Sequence, residues 1–104
     1  MEDENESNTY VLKYDNIEIE RRTRIIRVDG TEIKLPNFEF EILYLLVSHP
    51  GWVFTYQEIY ETVWKECVAG CEHVVYNVIC QLRRKLKNPD LIQTMVGRGY
   101  RFVG

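Results

Sequence analysis

The spacing of apolar residues in this chain changes twice, and the order of the three regimes leaves few folds open. Up to Leu35, apolar residues come in short alternating runs: Tyr10-Val11-Leu12, Ile17-Glu18-Ile19, Arg24-Ile25-Ile26-Arg27-Val28 and Glu32-Ile33-Lys34-Leu35. A two-residue period is that of half-buried strands. Asp29-Gly30, between the last two runs, marks a tight hairpin, because a type I′ turn needs positive φ at both central residues and Asp and Gly tolerate it. An antiparallel sheet of up to four strands is expected.

From Pro36 the period becomes helical. Phe38, Ile42, Leu45 and Leu46 fall on one side with Phe40, Leu43 and Val47 beside them, the broad stripe of a buried helix that stops at Ser48-His49-Pro50-Gly51. Trp52-Val53-Phe54 predicts a short strand or extended connector. Thr55-Tyr56-Gln57-Glu58 fits a capping box, so a second helix starts there, with Ile59, Val63, Tyr60 and Trp64 facing inward. Lys65 to Cys71 contains Ala69-Gly70 and is expected to be a loop. Val75, Ile79, Leu82 and Leu86 then place a third helix over about 73–87, closed by Asn88-Pro89-Asp90. In the third regime, Leu91–Val96 and Tyr100–Val103 read as two strands joined by Gly97-Arg98-Gly99. Phe40, Trp52, Trp64 and Phe102 occupy patterned apolar positions and are expected in the core.

A chain of 104 residues with 45% hydrophobic content suits one compact domain, here 10–104, behind an acidic tail, 1–9, expected to be disordered. No apolar run is long enough to cross a bilayer, and Met1-Glu2-Asp3-Glu4-Asn5-Glu6 is acidic where a signal peptide is basic and then apolar. A cytoplasmic protein without a membrane partner is expected, its three cysteines reduced. The formal net charge of -3 is unevenly spread. Residues 1–20 carry seven carboxylates against Lys13, whereas residues 73–104 carry Arg83, Arg84, Lys85, Lys87, Arg98 and Arg101 against Asp90. The basic end is a candidate phosphate-facing surface.

With Val75, Ile79 and Leu82 turned inward, the third helix presents Asn77, Cys80, Gln81 and Arg84, with Tyr76, Arg83 and Lys87 at the edge. Amides match the donor and acceptor pair on an adenine edge, and guanidinium matches guanine or phosphate. Asn77, Gln81 and Arg84, then Tyr76 and Cys80, are the candidates for base contact. Arg83, Lys85, Lys87 and Arg98 are the candidates for backbone contact, which sets register without reading sequence. An ordinary solvated helix face is the plain alternative; Arg98, on a turn between two glycines, weighs against it. Cys67, Cys71, His73 and Cys80 do not have the spacing of a standard zinc site, so no metal or cofactor is expected. Nor do His49, Glu39, Glu41, Glu58 and Glu61 form a nucleophile, base and orienter set, so no enzyme is expected.

Several motifs occur together in one order: Leu35-Pro36-Asn37-Phe38-Glu39-Phe40-Glu41-Ile42-Leu43, His49-Pro50-Gly51-Trp52-Val53-Phe54-Thr55, Val63-Trp64, Leu82-Arg83-Arg84-Lys85-Leu86, and Ile92-Gln93-Thr94 leading to Gly97-Arg98-Gly99-Tyr100-Arg101-Phe102. Over about residues 10–103 this resembles the OmpR/PhoB-type winged-helix effector domain of bacterial response regulators. The resemblance implies an α+β winged helix-turn-helix fold: an N-terminal antiparallel β-sheet, three helices and a C-terminal β-hairpin wing. It also implies sequence-specific binding of double-stranded DNA and transcription regulation in two-component phosphorelay signalling, with the helix at 73–87 in the major groove and the wing at 96–100 at the minor groove. Arg83 would hold phosphate, Tyr100 would support the backbone contact, loop 65–71 would meet RNA polymerase, and a tandem homodimer would form on DNA. The rival is a winged-helix protein-interaction module that has lost DNA binding. Pro36 stands where such domains carry a capping hydroxyl, so Asn37 is expected to cap the first helix one residue later. The chain is too short to hold a receiver domain as well, so an excised effector domain or a stand-alone regulator is expected.

Overall fold

The computed structural model describes residues 11–14, 16–66 and 70–103. The acidic tail 1–9, Tyr10 and Cys67 lie outside the described residues. The chain forms two compact units that meet in sequence at Leu35 and Pro36.

The first unit is a four-stranded antiparallel meander of β1 (Val11–Tyr14), β2 (Ile17–Glu20), β3 (Ile25–Val28) and β4 (Thr31–Ile33), in that spatial order. Its register pairs Ile17 with Val28 and Ile19 with Ile26, and all four are buried. The same two-residue period aligns Lys13, Glu18, Arg27 and Glu32 across the four strands as a row of alternating charge. Glu18 lies 3.2 Å from Lys13 Nζ and 3.3 Å from Arg27 Nη1. The hydrogen bond from Lys13 holds its carboxyl below the ordinary range. Asp29 and Gly30 take φ of 54° and 80°, as the predicted two-residue turn demands. Arg24, expected in the third strand, instead has φ 60° and belongs to the preceding turn, so β3 starts one residue later.

The second unit contains α1 (Asn37–Ser48), β5 (Phe54–Thr55), α2 (Tyr56–Trp64), α3 (Glu72–Leu86), a 3₁₀ turn (Pro89–Leu91), β6 (Ile92–Met95) and β7 (Gly99–Phe102). Helix α1 touches α2, α3 and β7, burying Phe40, Ile42, Leu43, Leu46 and Val47. Its start corrects the capping expectation. Pro36 is the N-cap residue and provides no side-chain hydrogen bond, while Asn37 is already the first helical residue. Proline's fixed φ, here -56°, suits that position, and its carbonyl takes the amide of Phe40 at 3.0 Å. The capping box of α2 forms as predicted, Thr55 Oγ1 accepting from Glu58 N at 3.0 Å and Glu58 Oε1 from Thr55 N at 2.9 Å.

Among the aromatics, Phe40 and Phe102 are buried, but Trp52 is not core: it is 59% exposed and stacks on His49 at 4.2 Å. Trp52 N donates to His49 O within the turn that follows α1, and β5 begins only at Phe54, which leaves the indole outside the sheet. Trp64 is half-buried between Phe38 and Tyr60.

Strand β5 adds to the C-terminal hairpin, giving a three-stranded sheet in the order β5-β7-β6. The contact is close: a Cβ placed on Gly99 would lie 1.8 Å from Phe54 O and 2.8 Å from Thr55 Cα. Gly97 is different, with open space around it but φ +76°. Gly99→Ala must push β5 off the hairpin, and a loss of about 3 kcal/mol or more is expected. Gly97→Ala strains only a turn, for about 1 kcal/mol. Urea unfolding of the two variants should therefore rank Gly99→Ala well below Gly97→Ala.

Candidate nucleic-acid interface

Val75, Ile79, Leu82 and Leu86 are wholly buried along α3, and this ridge decides where every other side chain of the helix points. Asn77, Gln81 and Arg84 follow at spacings of four and three on the outer side. Asn77 and Arg84 are exposed, Gln81 half-buried, and Arg84 Nη2 donates to Gln81 Oε1. Tyr76, Cys80 and Arg83 form a second stripe beside them. The Cys80 thiol, one turn along from Tyr76, raises the phenol's pKa above its ordinary value. Arg83 points to the hairpin: Nε and Nη2 lie 3.2 Å and 2.8 Å from Ile92 O, and Nη2 lies 2.7 Å from Thr94 Oγ1. Lys85 faces a third way, its Nζ 2.8 Å from Oε1 of the nearly buried Glu39 on α1. Lys87, at φ 63°, ends the helix and is exposed. Of the ten predicted site residues, Lys85 is thus set apart by a part-buried ion pair with α1, and Arg83 is directed at protein atoms.

The hairpin tip is Val96-Gly97-Arg98, closed by Arg98 N donating to Met95 O at 2.8 Å. Val96 and Arg98 are exposed. Arg98 O accepts from Tyr56 N, the first amide of α2, at 3.3 Å. Gly97 and Arg98 share a cleft with Tyr56 and with Gly70 and Glu72 at the start of α3, so the arginine turn stands beside the N-terminal end of that helix. Tyr76 borders the adjoining hollow with Tyr56, His73 and Tyr100. Tyr100 itself is only 2% exposed. Its ring meets Tyr56 edge-on at 5.7 Å, and the Arg83 guanidinium lies 5.7 Å from its centroid. It props the hairpin from behind.

Tyr56 is the residue that sequence reasoning left out. Its role depends on contacts with Arg98 and Tyr100, more than forty positions away, and the only local hint was its place at the start of a capped helix. Of the cysteines, Cys71 is buried with Sγ 3.8 Å from Gln57 Oε1, and Cys80 is half-buried. Among the described residues no three His, Cys, Asp or Glu side chains are placed to hold a metal.

Comparison with known families agrees with this geometry. The family described as "Transcriptional regulatory protein, C terminal" matches residues 30–102. The chain belongs to this family, whose members are OmpR/PhoB-type effector domains. The heme response regulator HssR of Staphylococcus epidermidis is 37% identical over 93 residues, covering 86% of this chain and 42% of HssR. The chain therefore spans about two fifths of that relative's length. The response regulator DrrB of Thermotoga maritima, an OmpR/PhoB homolog, superposes with a TM-score of 0.80 at 31% identity, over 91% of this chain and 45% of DrrB. The Klebsiella pneumoniae RstA DNA-binding domain, solved in complex with the RstA box, shares the fold at a TM-score of 0.82 and 23% identity, over 89% of this chain and 96% of that one. Fold and family are those of transcription regulators rather than of enzymes. Among the described residues no helix is long and apolar enough to cross a membrane.

Burial raises the pKa of Tyr100 above the ordinary value of a tyrosine phenol. In the unfolded effector domain this phenol ionises near its ordinary value, so its contribution to stability is intact below about pH 10 and lost as pH rises from there through the folded pKa. Urea midpoints measured across the alkaline range should fall, and Tyr100→Phe should shrink that fall.

Proposed function

We propose that this effector domain binds double-stranded DNA sequence-specifically and regulates transcription in the cytoplasm as the output end of two-component signalling. Residues 73–87 would enter the major groove and residues 96–100 would lie at the minor groove. The observation that carries this reading is geometric: an exposed amide and guanidinium, Asn77 and Arg84, stand on the outer side of α3, and the Arg98 turn stands beside the start of the same helix. The kinship with response regulators supports the signalling context.

In this role Asn77 pairs with an adenine edge and Arg84 with guanine. Gln81, whose carbonyl already accepts from Arg84, orients that guanidinium and keeps its own N–H donors for a base. Tyr76 and Cys80 offer less polar contact at the edge of the groove. Arg98 and Lys87 hold phosphates. Arrangement as a tandem homodimer on DNA, and engagement of RNA polymerase by loop 65–71, belong to the same proposal. The partly exposed Phe38, stacked on Trp64 at the start of that loop, supplies apolar surface for the second contact.

Selection of genomic fragments with the purified domain should enrich one motif. With Arg98 and Lys87 neutralising about two phosphates, log affinity should fall with log salt at a slope near -1.8. Arg98→Ala should flatten that slope by about 0.9 without changing the motif, whereas Asn77→Ala should relax specificity at one position at a cost of about 1–3 kcal/mol. Salt-independent association, or none, would favour a protein-interaction module instead.

A further inference from the structure

We propose that Arg83 is a positioning residue that locks the wing to the recognition helix. The inference deepens the DNA-binding reading and rests on it. Of the five N–H groups of a guanidinium, the Nε hydrogen and those on Nη2 point at protein acceptors, Ile92 O and Thr94 Oγ1, both on β6. The same group lies against the ring of Tyr100 on β7. One side chain of α3 therefore contacts both strands of the wing. It does so through a planar fork that fits the geometry of its acceptors, and a lysine ammonium lacks that fork.

The far end of the wing is tied separately, since Arg98 O accepts from Tyr56 N. Tyr56 in turn packs edge-on against Tyr100, the ring that Arg83 covers. The wing is thus fixed at two places, at its strands by α3 and at its turn by α2. Through these links the major-groove helix and the minor-groove turn are presented at one spacing before DNA arrives, and the ordering cost is met during folding rather than on binding. Arg84, the next residue along, points outward with Asn77 and Gln81 and is the guanidinium left to the groove.

Association with a mixed-sequence duplex, measured across a salt series, tests the assignment in Arg83→Lys, Arg83→Gln, Arg98→Ala and the Arg83→Gln/Arg98→Ala pair. A positioning role predicts that Arg83→Lys, despite keeping its charge, weakens binding about tenfold, as Arg83→Gln does. It also predicts that Arg83→Gln adds less than about twofold once Arg98 is gone. A phosphate role predicts rescue by lysine, losses that multiply in the pair, and a further slope change of about 0.9; any of these overturns the proposal. If the Arg83 variants lose a cooperative unfolding transition, Thr94→Val carries the test. It removes one acceptor, and its effect on binding should vanish in the Arg98→Ala background; a persistent effect counts against positioning.

A readout free of DNA separates this inference from the function on which it rests. Amide exchange in the wing strands, 92–95 and 99–102, should quicken in Arg83→Lys while the amides of Ile79 and Leu82 in α3 stay protected. Unchanged exchange in those strands overturns the positioning role even if the domain binds DNA. Absence of salt-dependent DNA association in the unaltered domain would instead overturn the DNA-binding reading, leaving the exchange result to stand or fall alone.

Discussion

Burial of Val75, Ile79, Leu82 and Leu86 is the constraint from which the candidate interface follows. Four aliphatic side chains without exposed surface fix the rotation of α3 about its axis, because turning the helix by even one residue, about 100°, would put several of them into water at about 1.5–3 kcal/mol each. Once that rotation is set, Asn77, Gln81 and Arg84 have only the outer side available. Lys85 is brought against Glu39, and Arg83 against the wing. Neighbouring residues with similar chemistry, Arg83, Arg84 and Lys85, thereby acquire three different surroundings.

The wing depends on a second constraint, the narrow approach of β5 to β7 at Gly99. A two-stranded hairpin alone is marginally stable in water, and the third strand anchors it to the helical unit. Because β5 runs directly into α2, the strand that stabilises the wing also brings the first amide of α2 to Arg98 O. The turn is held by hydrogen bonds that involve no exposed charge, so the Arg98 guanidinium is not consumed in holding it.

Features governed by neighbours in sequence were legible before any coordinates. The Asp29-Gly30 turn, the Thr55–Glu58 capping box and the aliphatic ridge of α3 each follow from local sterics or from one period, and the motif order pointed to the family. The outward amide and guanidinium of Asn77 and Arg84 were legible for the same reason. What could not be read depends on residues far apart. Glycine at 99 looked like part of a turn, but its necessity comes from Phe54 across the sheet. The contacts of Arg83 with Ile92 O and Thr94 Oγ1 were hidden as well, since the place of β6 beside it is set only by tertiary packing. Trp52 looked like core because composition does not reveal that β5 starts two residues later. Pro36, read as displacing the cap to Asn37, takes that position itself, because its fixed φ is already suited to it.

The charged row Lys13, Glu18, Arg27 and Glu32 has a consequence for how the first unit behaves near a polyanion. Two positive and two negative groups, spaced by about 4.8 Å from strand to strand, leave no monopole. Their field cancels over a distance comparable to a screening length of about 8 Å at physiological ionic strength. The row itself therefore exerts no net pull or push on a distant charge, and what long-range field the first unit has comes from the residues that flank it.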